Sequence, residues 1–338
     1  MDFAFDGKGP AKLLEYNADT PTSLFEAAVF QWTWLEQTIS RQIIPARSDQ
    51  YNSLHESLID AWKRVGKGRH LHLAAVMASE EDAGTVAYLE DVARQAGLTT
   101  TMIDVEKIGL RDDGGLVDMD DRNIDLAFKL YPWEWMMREE FGARLKGAST
   151  RWIEPPWKAI LSNKGILPLL WSMFPRHPNL LAAYFDDDPA AADLGSSCVR
   201  KPLYSREGAN VALVAGEVFD EQPGPYGTEG FIRQQLASLG NFSGQYPVLG
   251  SWIVDGAPRA AYPSARTKIR SPATARAFCP TPSSSGQRLK HSAVSLRLTP
   301  CGRAFPSPAP ATAMTSAQDS GHIRREGRGT PDTHRSIR

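Results

Sequence analysis

The sequence predicts an α/β protein that contains a doubly wound layer of strands and helices. Apolar stretches of strand length alternate with a longer helical stretch between residues 69 and 129, as in β-α-β units. Two helical patterns precede this region, and a strand–turn–strand pattern lies at each end of residues 1–256. With 338 residues, the chain is long enough for one large domain or two ordinary domains with a sizeable core.

The net charge of −1 hides two unlike parts of the chain. Residues 257–338 contain 14 Lys or Arg and 3 Asp or Glu, whereas residues 1–256 contain 24 and 36. The later part is rich in Pro, Ser, Ala and Arg without sustained periodicity. Such a segment buries too little apolar surface to offset its ordering entropy. We therefore expect a folded domain over residues 1–256 and a disordered basic tail over residues 257–338.

The first strand–turn–strand pattern carries three oxygen-bearing side chains. Residues 6–9 read Asp-Gly-Lys-Gly, a strong turn signal, so the flanking runs are predicted to form a β-hairpin. Folding about this turn brings Asp2 opposite residues 13–15, and strand alternation places Glu15 and Asn17 on one face. Hard oxygen ligands at this spacing suit Mg²⁺. A hairpin with a solvated polar face explains the same alternation, so spacing alone leaves both interpretations open.

Two helices are expected after the hairpin. The first covers residues 20–44, where apolar residues recur at helical spacing, with Thr20 as its cap and Pro21 at its first position. Pro45 ends this helix. The second helix is predicted over residues 50–65, where three large apolar residues are four positions apart.

The next stretch predicts a buried strand over residues 69–78 that is followed by an acidic helix start. Ser79 can cap a helix over residues 83–95, and Glu80 and Glu81 favour its N-terminus. The same carboxylates lie at the carboxyl end of a strand, where α/β proteins open their ligand crevices, and there they suit a cationic amine. The residues leave these two interpretations open.

Later segments contain weaker signals for phosphate binding. Strands are predicted over residues 99–104 and 124–129, and residues 198–216 form a strand, a loop and a strand. A loop with a Gly-Ala step at residues 208–209 can approach phosphates through backbone N–H groups, but no Walker pattern is present. Lys164 lies next to an apolar helix and can supply a point charge to phosphate, although the pattern alone does not distinguish it from a surface lysine.

Three blocks of the chain carry a resemblance to a known family. Asp2-Phe, followed after the turn by Leu-Glu-Tyr-Asn-Ala-Asp-Thr at residues 14–20, resembles the metal-binding hairpin of the glutathionylspermidine synthase family. The run from residue 151 that leads into Lys164 and the loop within residues 198–216 resemble two further family blocks. The resemblance extends from Met1 to Gly256.

The resemblance implies an ATP-grasp-like core and an ATP- and Mg²⁺-dependent ligase. Such an enzyme joins a peptide-like carboxylic acid to an amine through an acyl phosphate. It also implies a role for each matching residue: Asp2, Glu15 and Asn17 for the metal; Lys164, Lys201, Gly208 and Gln234 (or Gln235) for ATP; Arg206 for catalysis; Thr20, Thr22, Glu80 and Glu81 for the substrates.

The chain also departs from the family pattern at two positions. The family has an arginine two positions before the aspartate that Asp2 matches, and an Arg-Glu-Asp strand after the position of Gly256; neither occurs here. In the family both arginines contact ATP, so a catalytically impaired remnant of a ligase is the main alternative. An abrupt loss of pattern after Gly256 is typical of out-of-frame translation.

A second alternative is nucleic-acid binding through the basic tail over residues 257–338. This tail lacks interleaved aromatic residues and any RNA-binding motif, which disfavours that function. We expect no membrane span, because no apolar run reaches about 18 residues. A cytoplasmic location is expected because the sequence shows no signal peptide and no membrane span. Three cysteines do not form a disulfide framework or a metal-type spacing. The sequence does not determine the oligomeric state.

Overall fold

The computed structural model describes residues 1–50, 52–216, 218–241 and 246–264. Its α-helices are α1 (Gln31–Ser40), α2 (Leu54–Gly66), α3 (Glu80–Gln95), α4 (Trp133–Met136), α5 (Lys158–Ser162) and α6 (Ile166–Met173). Its strands are β1 (Asp2–Ala4), β2 (Lys12–Glu15), β3 (His70–Ala75), β4 (Thr99–Asp104), β5 (Gly109–Leu110), β6 (Leu116–Val117), β7 (Leu126–Leu130), β8 (Arg151–Ile153), β9 (Ala183–Phe185), β10 (Ser197–Pro202), β11 (Ala212–Ala215), β12 (Val218–Glu221), β13 (Phe231–Gln235), β14 (Val248–Val254) and β15 (Ala257–Ser264).

A parallel sheet with the strand order β4-β3-β7-β8 forms the doubly wound layer, which confirms the α/β class. Its central strands are buried on both faces. Leu73 and Phe128 belong to the core cluster that also contains residues of α2 and α3, whereas Ala127 faces a second cluster with Trp133 and Trp152. Burial on both faces explains the nearly continuous apolar runs of these strands.

Two antiparallel sheets complete the part of the chain that the structure describes, together with the small β5–β6 pair. One sheet has the order β12-β11-β10-β13-β9, and the other has the order β15-β14-β1-β2. The predicted N-terminal hairpin is confirmed: Asp2 pairs with Glu15, and a register shift follows before Phe3 pairs with Leu13. On its other side β1 pairs with β14, so the hairpin lies inside a sheet. Strand β1 is therefore paired on both sides, whereas β2 lies at the edge of the sheet.

The first predicted helix begins later than expected. Helical backbone starts at Leu24, continues through one π-helical turn and joins α1, which ends at Ser40. Thr20 therefore does not cap this helix, and Pro21 is not its first residue. Ser23 has φ +65°, a backbone conformation that separates the preceding loop from the helix. The second and third helices are confirmed as α2 and α3, and the Ser79 hydroxyl accepts a hydrogen bond from the backbone of α3.

The hairpin expected at the end of the domain extends beyond Gly256. Strands β14 and β15 pair through a tight turn in which Asp255 and Gly256 have φ values of +51° and +77°. An Asp-Gly pair favours such a turn, because both central residues need positive φ. Residues 257–264 thus form a strand, although the sequence pattern placed them in the tail.

Residues 265–338 lie outside the described residues, so the disorder expected there stays a prediction. Among the residues that the structure describes, no helix combines the length and the apolar character needed to cross a bilayer.

Candidate active site

A cavity of about 1020 Å³ contains most of the residues that the sequence singled out. Parts of the lining come from the hairpin β1–β2, the loop that follows it, the segment before α6, the loop after β10 and strand β13. The predicted site residues in this lining are Asp2, Glu15, Asn17, Thr20, Thr22, Glu81, Lys164, Lys201, Arg206, Gly208, Gln234 and Gln235. Glu80 is absent from the lining, although it precedes Glu81 directly. Consecutive helical residues point about 100° apart, so only one of the two faces the cavity.

Two carboxyl groups meet at one wall of the cavity. Asp2 and Glu15 are opposite each other in the hairpin and share a hydrogen bond between their side chains. Burial, reinforced by the nearby Glu15, raises the pKa of Asp2 to about 7. Burial also opposes ionisation of Glu15, but the ammonium groups of Lys164 and Lys201 outweigh it and lower the pKa of Glu15 to about 2. Near neutral pH the pair therefore holds a proton that a divalent cation can replace.

The two lysines point at this carboxyl pair from different elements. The Lys164 Nζ lies 3.2 Å from a Glu15 carboxylate oxygen and donates to the Ser205 carbonyl. The Lys201 Nζ donates to the Leu14 carbonyl at 2.9 Å. Burial lowers the pKa of Lys201 to about 8. Two nearly buried ammonium groups against one carboxylate leave positive charge for an anionic ligand.

Gln234 is held against Lys201 and the hairpin. Its side-chain oxygen accepts from the Lys201 Nζ at 2.7 Å, and its amide nitrogen donates to the Leu13 carbonyl at 3.0 Å. Gln234 is 1% exposed, whereas Gln235 on the opposite side of the strand is exposed. Both line the cavity. The alternation of strand residues thus decides which glutamine contacts the lysine.

Arg206 lies in the loop between β10 and β11 and reaches two other segments. Its Nη1 donates to the Thr20 hydroxyl at 3.0 Å, and its Nη2 lies 3.4 Å from a Glu134 carboxylate oxygen. The guanidinium carbon is 5.4 Å from the centre of the Trp135 ring. Gly208 in the same loop has φ +74°, a conformation that favours glycine.

Glu81 lies near other acidic side chains, and one of them, Asp82, is close enough to Arg206 to interact with its charge. Burial raises the pKa of Glu81, and the negative charges of Glu26, Asp82 and Glu207 raise it further. Thr22 and Asn17 are exposed at the mouth of the same cavity. The parts of the chain that the structure describes contain no cluster of three or more His, Cys, Asp or Glu side chains able to hold a metal. The metal-ligand role that the sequence predicts for Asp2, Glu15 and Asn17 stays a prediction.

Sequence analysis missed two residues beneath the site. Asp19 and Lys129 form an ion pair at 2.6 Å, and neither side chain is exposed. One sequence signal was available, because Lys129 is the only charged residue of strand β7, Leu-Ala-Phe-Lys-Leu. A buried lysine needs a hydrogen-bonded partner of opposite charge. The identity of that partner, 110 positions away, is not visible in the pattern.

The fold is that of an α/β protein whose cavity brings two nearly buried lysines together with a pair of carboxyl groups. The family described as glutathionylspermidine synthase, preATP-grasp, matches residues 1–262. The chain belongs to this family. A Haemophilus influenzae protein provisionally named as an acid–amine ligase is 44% identical over 266 residues, which cover 75% of this chain and 66% of that protein.

Two further relatives are longer. The trypanothione synthetase of Crithidia fasciculata is 28% identical over 283 residues, which cover 76% of this chain and 43% of that protein. The bifunctional glutathionylspermidine synthetase/amidase of Escherichia coli is 30% identical over 283 residues, which cover 76% of this chain and 44% of that protein. The chain thus spans slightly less than two thirds of the first relative and less than half of the other two. All three are named as ligases or synthetases.

Proposed function

We propose that the chain is an ATP-dependent ligase that joins a carboxylic acid to an amine. One observation carries this proposal: the Asp2–Glu15 pair and the ammonium groups of Lys164 and Lys201 converge in one cavity. Adjacent carboxylates and buried cations are what a magnesium–nucleotide complex requires. The names of the relatives support the ligase class.

The proposed nucleotide contacts follow from the charges in the cavity. Lys164 and Lys201 neutralise phosphate oxygens, and the backbone of the loop at Gly208 approaches the same phosphates. Gln234 lies on the base side of the nucleotide, with its orientation held by Lys201 and the hairpin. Because these groups are nearly buried, their charges are screened little by water.

Asp2, Glu15 and Asn17 are the proposed ligands of Mg²⁺, with Asp2 giving up its proton. Both carboxyl groups and Asn17 line the cavity that also contains the two lysines. When bound, the metal supplies Lewis-acid stabilisation of phosphate charge. The three residues fix its position and keep the carboxylate charge directed at the nucleotide.

In the proposed reaction the carboxylate of the acid takes the γ-phosphoryl group and becomes an acyl phosphate. The amine then attacks the acyl carbon, phosphate leaves with one former carboxylate oxygen, and the amine nitrogen loses a proton. Arg206 stabilises the negative charge on the reacting oxygens. Thr20 and Thr22 contact the acid in this scheme, and Glu81 attracts the ammonium group of the amine. For Glu80, which is outside the lining, the role as a substrate contact stays a prediction.

Turnover is tested by ADP release in the presence of Mg²⁺, an acid and an amine. The relatives' names make glutathione and spermidine the first pair to assay. We expect release to need both substrates and to fall to background in Asp2→Ala, whereas Lys63→Met, at an exposed lysine that does not line the cavity, keeps the wild-type rate. Wild-type turnover equal to that of Asp2→Ala would refute the proposal. Retained nucleotide binding in that case would indicate the impaired remnant.

The acyl phosphate is tested separately with an acid labelled with ¹⁸O in its carboxylate. Transfer of one label to the released phosphate is expected, because the carboxylate oxygen that attacks phosphorus leaves with it. Mass spectrometry of the phosphate measures the label. Amide formation with unlabelled phosphate would exclude this intermediate and leave the ligase class intact.

A further inference from the structure

A closed ring of contacts joins three separate segments beside the cavity. Asp19 accepts a hydrogen bond from the backbone N–H of Trp133 at 2.7 Å. The next residue along each segment continues the ring, because Thr20 accepts from Arg206 and Glu134 pairs with Arg206. Asp19 thus contacts Trp133 directly, whereas Thr20 is linked to Glu134 through Arg206, which lies in the loop after β10.

Asp19 uses both carboxylate oxygens in this arrangement. One oxygen accepts from the Lys129 Nζ at 2.6 Å, and the other accepts from the first backbone N–H of α4. Lys129 also donates to the Tyr131 carbonyl at 2.8 Å, and its Nζ lies 4.5 Å from the centre of the Trp133 ring. Every charged atom of the pair therefore has a defined partner, and together these contacts fix where α4 begins.

Burying the Asp19–Lys129 ion pair has a large desolvation cost, although the pair positions only a short helix. Removing two charges from water costs several kcal/mol for each ion, and their attraction only repays this cost when the geometry is good. A helix of four residues, such as α4, has too few internal hydrogen bonds to set its own position. The Asp19–Lys129 pair is thus better explained by the defined position that it gives to α4 than by a net gain in stability.

We infer that Asp19 is a positioning residue for Arg206. It sets the start of α4 and thereby the position of Glu134, and it also sets the adjacent Thr20, so both partners of the guanidinium depend on one carboxylate. The inference rests on the proposed function, in which Arg206 stabilises the reacting oxygens. Asp19 is 1% exposed, and both of its carboxylate oxygens already accept hydrogen bonds from Lys129 and Trp133.

The test uses paired variants that leave no orphan charge in the core. Asp19→Leu/Lys129→Met removes both charges and also the acceptor for Trp133 N–H. Asp19→Asn/Lys129→Met removes both charges and keeps an amide oxygen as acceptor. We expect kcat to fall roughly 10- to 100-fold in the first variant, as for a displaced catalytic group, with KM for ATP within about twofold of wild type. The second variant recovers most of that loss.

A matched control accounts for lost stability. Asp118→Asn weakens another buried contact in the described core, the 3.1 Å pair of Asp118 with His72, and Asp118 does not line the cavity. We expect it to lower the thermal midpoint and to keep the wild-type kcat. Equal loss of kcat in the control and in Asp19→Leu/Lys129→Met would assign the effect to stability and overturn the inference.

A cycle with Arg206→Met tests whether Asp19 acts through the arginine. In the Arg206→Met background, Asp19→Leu/Lys129→Met is expected to change kcat by less than about threefold, because the group it positions is already absent. If Arg206→Met and Asp19→Leu/Lys129→Met instead reduce kcat by independent factors that multiply, the inference is overturned.

The same cycle can also be measured by the thermal midpoints of unfolding, and this version of the test does not depend on catalytic activity. Arg206→Met is expected to lower the midpoint of the wild-type chain and to have little effect once Asp19 and Lys129 are replaced. An equal shift in both backgrounds would overturn the inference. An inactive wild type together with coupled midpoints would refute the proposed function alone.

Discussion

Replacing Asp2 by Asn is expected to stabilise the metal-free protein at alkaline pH. The pKa of Asp2 rises from an ordinary 3.8 to about 7 on folding, first because of burial and then because of Glu15. The folded protein therefore favours neutral Asp2, and this contribution to stability, present at low pH, is lost as pH rises through about 7. A shift of this size corresponds to roughly 4 kcal/mol, and coupling to Glu15 makes about 2–4 kcal/mol the expected range.

Urea unfolding at pH 5.5 and pH 8, followed by tryptophan fluorescence with EDTA present, measures the part of this difference that falls above pH 5.5, which is about 2 kcal/mol for a folded-state pKa of about 7. The free energy of unfolding of the wild type should fall between the two pH values, whereas that of Asp2→Asn should change much less. Adding Mg²⁺ at pH 8 should stabilise the wild type and not the variant. Asp6→Asn, at an exposed aspartate in the turn of the same hairpin, is the matched control. Parallel pH profiles for wild type and Asp2→Asn would refute the reasoning.

Three further predictions follow from the same contacts. Above pH 8 the KM for ATP should rise by up to about tenfold per pH unit, because Lys201 loses its proton with a pKa of about 8; a flat KM between pH 7 and pH 9.5 contradicts this role. Lys129→Met alone should destabilise the protein by about 3–5 kcal/mol, because it leaves the Asp19 carboxylate buried without its counter-ion, and urea unfolding beside Lys63→Met measures the loss. Deleting residues 265–338 should leave turnover unchanged and abolish any salt-sensitive DNA binding; DNA binding that survives the deletion excludes the tail as its source.

Much of the candidate site was visible in the sequence because its signals are local. The Asp-Gly-Lys-Gly turn and the alternation of strand residues placed Asp2 opposite Glu15, and the structure pairs these two residues. Likewise, Ser79 followed by acidic residues predicted the start of α3. Turn chemistry and periodicity act between neighbours in the chain, so they can be seen without the fold.

The less predictable features depend on contacts between distant segments. The residues next to Thr20 predict that it caps a helix, yet its hydroxyl accepts a hydrogen bond from Arg206, 186 positions away. Strand β15 has no apolar alternation of its own, and its pairing with β14 supplies the order that the pattern lacks. In both cases tertiary partners override the local preference.

The sequence by itself determined the α/β class, the hairpin with its two opposed carboxyl groups and the family to which the chain belongs. Only the tertiary structure decided which charges meet: Glu15 between Lys164 and Lys201, Arg206 between Thr20 and Glu134, and Asp19 against Lys129. Local patterns report hydrogen bonds and burial within one element. Charges interact through space, so their partners are set by how sheets and loops pack around the cavity.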